Sequence, residues 1–382
     1  MDLPLSGLTV VELGHSVAAP FAGQVLADLG ARVIKAENPG QGDDARAWGP
    51  PFWHGSSATF QSLNRNKLSV TVDLKDAGEV SRLRTLITDE ADIVIQNLRP
   101  GLTQRFGIDA ATLCAEDREL IYCNLGAFGA DGPMRDKPGY DPLMQAFGGL
   151  MSVTGEADRP PVRVGPSIID MGAGLWSVIG ILAALEKRNR TGLGCVVDTS
   201  LFETSLSWMT VPVALAMASG SDPGRTGSEA AMIVPYKAFK ARDRYLVIAA
   251  GNDSLFRRLC EAVGHPEWGT DPRFLDNAAR VRHREALNEM IEAIVGAQDA
   301  AHWGAKLDAA GVPSAPTQSV SEVLAHPQTR ALGMVQPVPD GTMELMSLPL
   351  RFDGQRPPIR SSPPALGADN GAVFQISEAK AP

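Results

Sequence analysis

The chain has 382 residues, 44% hydrophobic and 21% charged, with a net charge of −9. Its length exceeds what one compact core usually holds, so two domains, or one with a large insertion, are expected. Acidic and basic residues are mixed throughout with no basic tract, which excludes nucleic acid as an expected partner; an anionic ligand would need a local cluster of Lys and Arg against an unfavourable global field.

The opening MDLPLSGLTVVEL has no basic segment ahead of an apolar one and no Arg-rich amphipathic pattern. Neither a secretory signal nor a transit peptide is expected, and the cytoplasm is the expected location. In chain order, LTVVEL (8–13) reads as a strand, and PFAGQVLADLG (20–30) as a helix with Pro20 at its start and Gly30 at its end. RVIKAE (32–37), LSVTVDL (68–74), DIVIQN (92–97) and LIYCNLG (120–126) read as further strands, with a helix over about 76–89. Strands alternating with helices predict an α/β fold, a Rossmann-like doubly wound parallel sheet. Its first turn, ELGHSVAAP, lacks the G-x-G-x-x-G spacing that admits a pyrophosphate, so neither nicotinamide nor flavin is expected.

Residues 126–169 are rich in Gly and Pro and read as ordered loops around a site, with one helix near 141–150. A helix over about 168–189 follows, ending in KRNRTG, with bases in its last turn and a glycine beyond. Its apolar part, 171–185, is shorter than a membrane span and carries three glycines, so burial in protein is expected and no membrane partner. GCVVDTS and a helix over about 200–218 complete a large domain of residues 1–217. Residues 218–230 read as a linker and 231–330 as a smaller α/β domain, with a strand at 245–250 and helices near 254–263, 284–296 and 300–310. The Pro-rich segment 331–382 is expected to return to the large domain. Cys114, Cys123, Cys195 and Cys260 show no C-x-x-C spacing, so packed thiols are expected, with neither disulfides nor a metal site.

One residue stands out. From Val164 to Leu185 the only ionisable side chain is Asp170. Ser167-Ile-Ile-Asp170 fits the S/T-x-x-acid pattern of a capping box at a helix start. Against a purely capping role, the helix is apolar nearly all round, and Gly172 and Gly174 weaken its first turns, as expected where another chain or a ligand approaches closely. The positive helix end is expected to favour the ionised carboxylate. A partly desolvated carboxylate in a glycine-rich cleft suits nucleophilic attack on an activated acyl group.

The blocks HSVAAPFAGQVLADLGARVIKAENPGQGDDAR (15–46), NRNKLSVTVDLK (64–75), NLRPG (97–101), PGYDPLMQAFGGLMSVTG (138–155) and SIIDMGAGLWSVIGILAALEKRNRTGLG (167–194), in this order, resemble the family III CoA-transferases of the CaiB/BaiF type. That group includes formyl-CoA transferase and carnitine CoA-transferase. The resemblance implies that Asp170 is the nucleophile, forming an aspartyl–acyl anhydride and then an aspartyl-CoA thioester. It implies a donor acyl-CoA and a small carboxylic acid as substrates, coenzyme A being a substrate and no metal being required. It places His15, Ser16, Val17 and Ala18 near the thioester end. Lys75, Asn97, Leu98, Arg99 and Arg105 fall in its CoA-contacting segments, as do Pro138, Gly139, Tyr140 and Asp141. It also implies an interlocked homodimer.

Formyl-CoA transferase carries a glutamine where this chain has Val17, and a tetraglycine loop where this chain reads TGSEAAMIVPYKAF (226–239). The formate–oxalate pair is therefore not expected. A donor such as succinyl-CoA and a dicarboxylic acceptor fit better, with Arg46, Arg65 or a residue of 226–239 on the distal carboxylate; Arg46 and Arg65 read equally well as structural ion-pair residues. The 2-methylacyl-CoA racemases of the same superfamily use a histidine where this chain has Tyr140, a poor base at neutral pH. A non-catalytic acyl-CoA-binding protein would be indifferent to loss of Asp170.

Overall fold

Runs of branched apolar residues, punctuated by Gly, Pro and Asn, become the strands of the first unit. In the computed structural model, which describes residues 2–379, β1 (Thr9–Leu13) turns into α1 (Ala18–Asp28), followed by β2 (Arg32–Glu37), β3 (Lys67–Thr71), α2 (Ala77–Glu90), β4 (Ile93–Gln96) and β5 (Ile121–Gly126). After a long loop come α3 (Asp141–Phe147), α4 (Ile168–Thr191), β6 (Val196–Ser200), α5 (Leu201–Trp208) and α6 (Thr210–Ser219). The strands are all parallel, in the order β3-β2-β1-β4-β5-β6. This is the doubly wound, Rossmann-like order, and its direction reverses between β1 and β4, where such sheets open a crevice at their carboxyl ends. Val10, in register with Val33 on one side and Ile93 on the other, is buried with both partners, so register is fixed by the apolar core.

The chain divides into two compact units. One runs to Leu150 and includes Arg163–Gly220 and the chain from Arg330 onward; the other holds Met151–Val162 and Ser221–Thr329. The segment 151–162 thus goes with the second unit rather than with residues 1–217. Arg225 explains why: its guanidinium donates to the backbone carbonyls of Glu156, Ala157 and Arg159. Within the second unit, β7 (Tyr236–Lys240), β8 (Tyr245–Ala249), α7 (Asp253–Val263), α8 (Arg284–Val295), α9 (Ala300–Ala309) and β9 (Ser314–Pro316) enclose a core around Phe239, Phe256, Ile291 and Leu307. Its sheet is antiparallel, in the order β9-β8-β7.

Three elements differ from expectation. The helix expected over 200–218 is two helices bent by 57°, broken at Met209, where ψ is 8°. The C-terminal segment carries a helix, α10 (Asn370–Ala379), whose Val373 and Phe374 are buried in the core of the first unit. Asp369 and Asn370 accept from the backbone N–H groups of Ser69 and Thr71, covering the otherwise open edge of β3. Finally, α4 has 24 residues and is long and apolar enough to span a bilayer, yet half of its most apolar window is buried within this protein. A Cβ on Gly172 would lie 2.9 Å from Thr204 and Trp208 of α5, and one on Gly174 would lie 2.7 Å from the Ala18 carbonyl of α1. Those glycines seat the helix against its own chain, which replaces the expectation that they admit a ligand or another chain.

Candidate active site

The crevice at the carboxyl ends of β1, β2, β3 and β4 is a cavity of about 430 Å³, lined in part by Gly14, His15, Asn38, Asp44, Leu74, Lys75, Leu98, Arg105 and Phe106. Of the residues marked in the sequence, His15, Lys75, Leu98 and Arg105 therefore share one wall-to-wall site. Lys75 and Arg105 are exposed cations at its margin, which gives a net-acidic protein a local place for phosphate. Asn97 lies behind the lining: its side chain accepts from the His15 N–H at 3.0 Å and donates to the His15 carbonyl at 2.9 Å. It holds the turn's backbone from both sides. Arg99 is exposed and not among the cavity residues.

The turn between β1 and α1 is held in an unusual shape. Ser16 has φ 73°, in the left-handed region that costs a side-chain-bearing residue free energy. Its N–H donates to Asp43 Oδ1 at 2.8 Å. His15 Nδ1 lies 3.0 Å from Ser16 Oγ and 3.7 Å from Asp44 Oδ2. Because both partners meet the same ring nitrogen, this is not the relay of a serine nucleophile, in which hydroxyl and acid occupy opposite nitrogens. Val17 and Ala18 are buried, and Val17 opens α1 with no side-chain cap on its N-terminus.

Beneath this turn lies a group of fully buried charges that sequence reading missed. Lys35 Nζ is 2.8 Å from both Glu12 Oε1 and Asp43 Oδ2, and Lys67 Nζ is 2.8 Å from Glu12 Oε2. Burial pulls the Lys35 pKa down, but Asp43, Glu12 and Glu37 outweigh it and hold the ammonium charged. Burial and the nearby Lys35 lower Lys67 to about 8, against the pull of Glu12. The available signal was a charged residue inside or opening each of three largely apolar strands, Glu12 in β1, Lys35 between Ile34 and Ala36 of β2, and Lys67 at the start of β3, where a doubly covered parallel sheet calls for none. Arg46 and Arg65 are likewise committed: Arg46 pairs with both oxygens of Glu37 at 2.7 and 2.8 Å, and Arg65 pairs with the buried Asp28. Their structural reading is the one that stands.

Asp170 sits in the first turn of α4 and is partly buried. The capping box expected there does not form, since Ser167 makes no side-chain cap. Asp141 supplies it from the start of α3: its Oδ2 accepts from the N–H groups of Ile169 at 2.7 Å and Asp170 at 3.3 Å. Gln145 fixes that carboxylate, donating to Asp141 Oδ1 at 2.6 Å and accepting from Val164 N. The helix end's positive charge thus serves Asp141, and no donor or cation reaches the Asp170 carboxylate among the described residues. Burial, then the Asp141 charge, raises the Asp170 pKa to about 7. The expectation that the helix end would keep this acid firmly ionised is corrected on that ground. Pro138 and Tyr140 are exposed and lead into α3, and Gly139 packs so closely that a Cβ would lie 2.2 Å from the Met144 methyl. These residues lead into Asp141, the one of the four that reaches the head of α4, and are not among those lining the cavity.

Among the described residues no group of three or more His, Cys, Asp or Glu is placed to hold a metal ion, and all four cysteines are unpaired. The family model for CoA-transferase family III matches residues 5–370. An acetyl-CoA:oxalate CoA-transferase from Acetobacter aceti is 37% identical over 382 residues, covering 99% of this chain and 97% of that protein. A succinyl-CoA:glutarate CoA-transferase from Mus musculus is 35% identical over 367 residues, covering 95% and 84%. The crystal structure of a CAIB/BAIF family protein from Brucella suis is 38% identical, with a TM-score of 0.89, covering 99% of this chain and all of that one. With its sheet order, its crevice and an aspartate at the head of α4, the chain belongs to CoA-transferase family III and is a CoA-transferase.

Proposed function

We propose that the protein moves coenzyme A from a donor such as succinyl-CoA or acetyl-CoA to a dicarboxylic acid, with Asp170 as the nucleophile. The observation that carries the proposal is the Asp170 carboxylate itself: partly buried, at a helix start, with no hydrogen-bond donor or cation on its oxygens among the described residues. A carboxylate left without partners is costly unless its reactivity is used.

The reaction balances without protons or redox equivalents. An Asp170 oxygen bonds to the donor's thioester carbon while the C–S bond breaks, giving a mixed anhydride and CoA thiolate. The thiolate sulfur attacks the Asp170 carbonyl carbon, and the donor acid departs as its carboxylate. The acceptor carboxylate then displaces thiolate from the aspartyl thioester, and the thiolate finally takes the acceptor's acyl carbon, restoring Asp170. Anhydrides hydrolyse readily, so the site must exclude water. Uncapped N–H groups at the start of α1, beside Ser16 and Val17, are suited to a developing thioester oxyanion. The cavity that includes Lys75 and Arg105 is suited to the phosphate-bearing end of coenzyme A.

The acceptor class rests on the names of the two relatives, whose acids, oxalate and glutarate, both carry two carboxylates. Oxalate, set aside on the Val17 and loop differences, re-enters on this ground. Arg46 and Arg65 are occupied by Glu37 and Asp28, so the distal carboxylate is not theirs to bind. A homodimer is proposed as well: Leu175, Trp176 and Ile179 of α4 and Val211 and Met217 of α6 are exposed, Met217 to 81%, more apolar surface than a lone chain normally shows. Tyr140 in place of a proton-abstracting histidine speaks against racemisation.

The test is intact-protein and peptide mass spectrometry after mixing with succinyl-CoA or acetyl-CoA and trapping with hydroxylamine or borohydride. The peptide containing Asp170 should gain mass, and the Asp170→Ala protein should not. No adduct from any donor, with solvent deuterium entering the α-position instead, would replace transfer by racemisation.

A further inference from the structure

We infer that the buried charges Glu12, Lys35, Asp43 and Lys67 form a positioning device that holds the β1–α1 turn, and with it His15 and Ser16, for the thioester at Asp170: the turn runs into Ala18, whose carbonyl meets Gly174, one helical turn after Asp170 in α4. This rests on the transferase reading above. The groups do more than neutralise one another, because Lys35, Asp43 and Lys67 each end on the backbone of the same short segment. Lys35 Nζ donates to the Gly14 carbonyl at 2.6 Å, just before the turn. Asp43 Oδ1 accepts from the Ser16 N–H at 2.8 Å, inside it. Lys67 Nζ donates to the Pro20 carbonyl at 2.7 Å, just after it, and to Asn64 Oδ1 at 2.9 Å. Glu12 joins the two lysines. Gly23 leaves room for it, since a Cβ there would lie 2.0 Å from Glu12 Oε2.

Asp43 is the hinge pin of the arrangement. Its Oδ1 also accepts from the Ala45 N–H at 2.9 Å and its Oδ2 faces Lys35, so one carboxylate ties the loop after β2 to the turn after β1. Asp43, Gly14 and His15 all line the cavity, which makes these loops two of its walls. For stability alone, apolar side chains of similar volume would serve as well or better than buried ions. What ions supply is direction, and the Ser16 backbone needs it: at φ 73° a serine is held against its own preference. Remove Asp43 and the turn is free to relax away from the thioester.

The experiment measures the single-turnover rate of Asp170 labelling by succinyl-CoA or acetyl-CoA, with CoA affinity by calorimetry and folding by thermal melts. Wild-type protein is read first, and if no donor labels Asp170 the transferase reading fails before this inference is reached. With labelled wild type, Asp43→Ala should fold and bind CoA within a few-fold, yet label roughly 30- to 100-fold more slowly, the size expected for a misplaced reacting group. Glycine adopts the left-handed conformation without help, so Ser16→Gly added to Asp43→Ala should recover about tenfold of that loss relative to Ser16→Gly alone. Should Asp43→Ala not fold, Asp43→Asn keeps an oxygen for the Ser16 N–H, discards the charge that Lys35 holds, and should show the same split at smaller amplitude. Unchanged labelling in the folded variant, or losses that simply add in the double variant, would reduce the cluster to ordinary structural pairing.

Discussion

Two sets of buried acids in the same unit meet opposite fates. Around the β1–α1 turn, Glu12, Glu37 and Asp43 each face a cation, Lys35, Lys67 or Arg46, within 2.8 Å. Against the cost of burial, Arg46 and Lys35 pull Glu37 down, and Lys35 pulls Asp43 down, so those two acids stay ionised and spend their oxygens on fixed partners. At the head of α4, Asp170 has burial and a neighbouring carboxylate instead, and moves up to about 7. The difference teaches what separates a scaffold acid from a reactive one. Both are desolvated; only one has its charge already committed.

The largest effect expected from breaking that contrast is loss of Asp170 itself. Asp170→Ala should lower turnover by at least about 10³-fold, measured by product CoA ester formation, as removal of a covalent nucleophile does. Its fold should not suffer. In the native protein the carboxyl holds its proton up to about 7, against 3.8 for the ordinary group, so the folded state binds more protons across that window and this group's contribution to stability falls as pH rises through it. Asp170→Asn should therefore match wild type near pH 4 and exceed it by up to ~4 kcal/mol at pH 8 in urea unfolding. The committed acids predict the reverse sign. Lys35→Met leaves Glu12 and Asp43 without their shared ammonium and should cost about 3–5 kcal/mol, read from the same titration.

The first unit was legible because parallel strands covered on both faces are continuous apolar runs, and the five read along residues 8–126 fall within a few residues of the observed strands. The break at Met209 was overlooked although it had a signal: Pro212 falls in the first turn of the second helix, where a proline is tolerated, and could not have continued a single helix unkinked. Asp170 was legible as the lone charge in an apolar stretch, but its environment was not: the cap comes from Asp141, 29 residues earlier, and sequence proximity pointed to Ser167 instead. The ion cluster escaped for a related reason. Glu12, Lys35 and Lys67 stand out as charges in apolar strands, but that they meet one another is visible only when the three strands are laid side by side, and pairing order is a property of the sheet.

A smaller effect separates the two carboxylates at the head of α4. Asp141→Asn keeps an oxygen for the Ile169 and Asp170 N–H groups, so the cap survives while the like charge beside Asp170 disappears. The acid limb of kcat/KM against pH should lie near 7 in the wild type, because attack requires the ionised Asp170, and should move to lower pH in Asp141→Asn. Burial is the larger cause of the raised value, so the limb should remain above the ordinary carboxylate range even then. A limb that stays in place would mean that Asp141 acts on Asp170 only through the helix cap. A limb that falls to the ordinary range would mean that charge repulsion, not desolvation, sets the reactivity of the nucleophile.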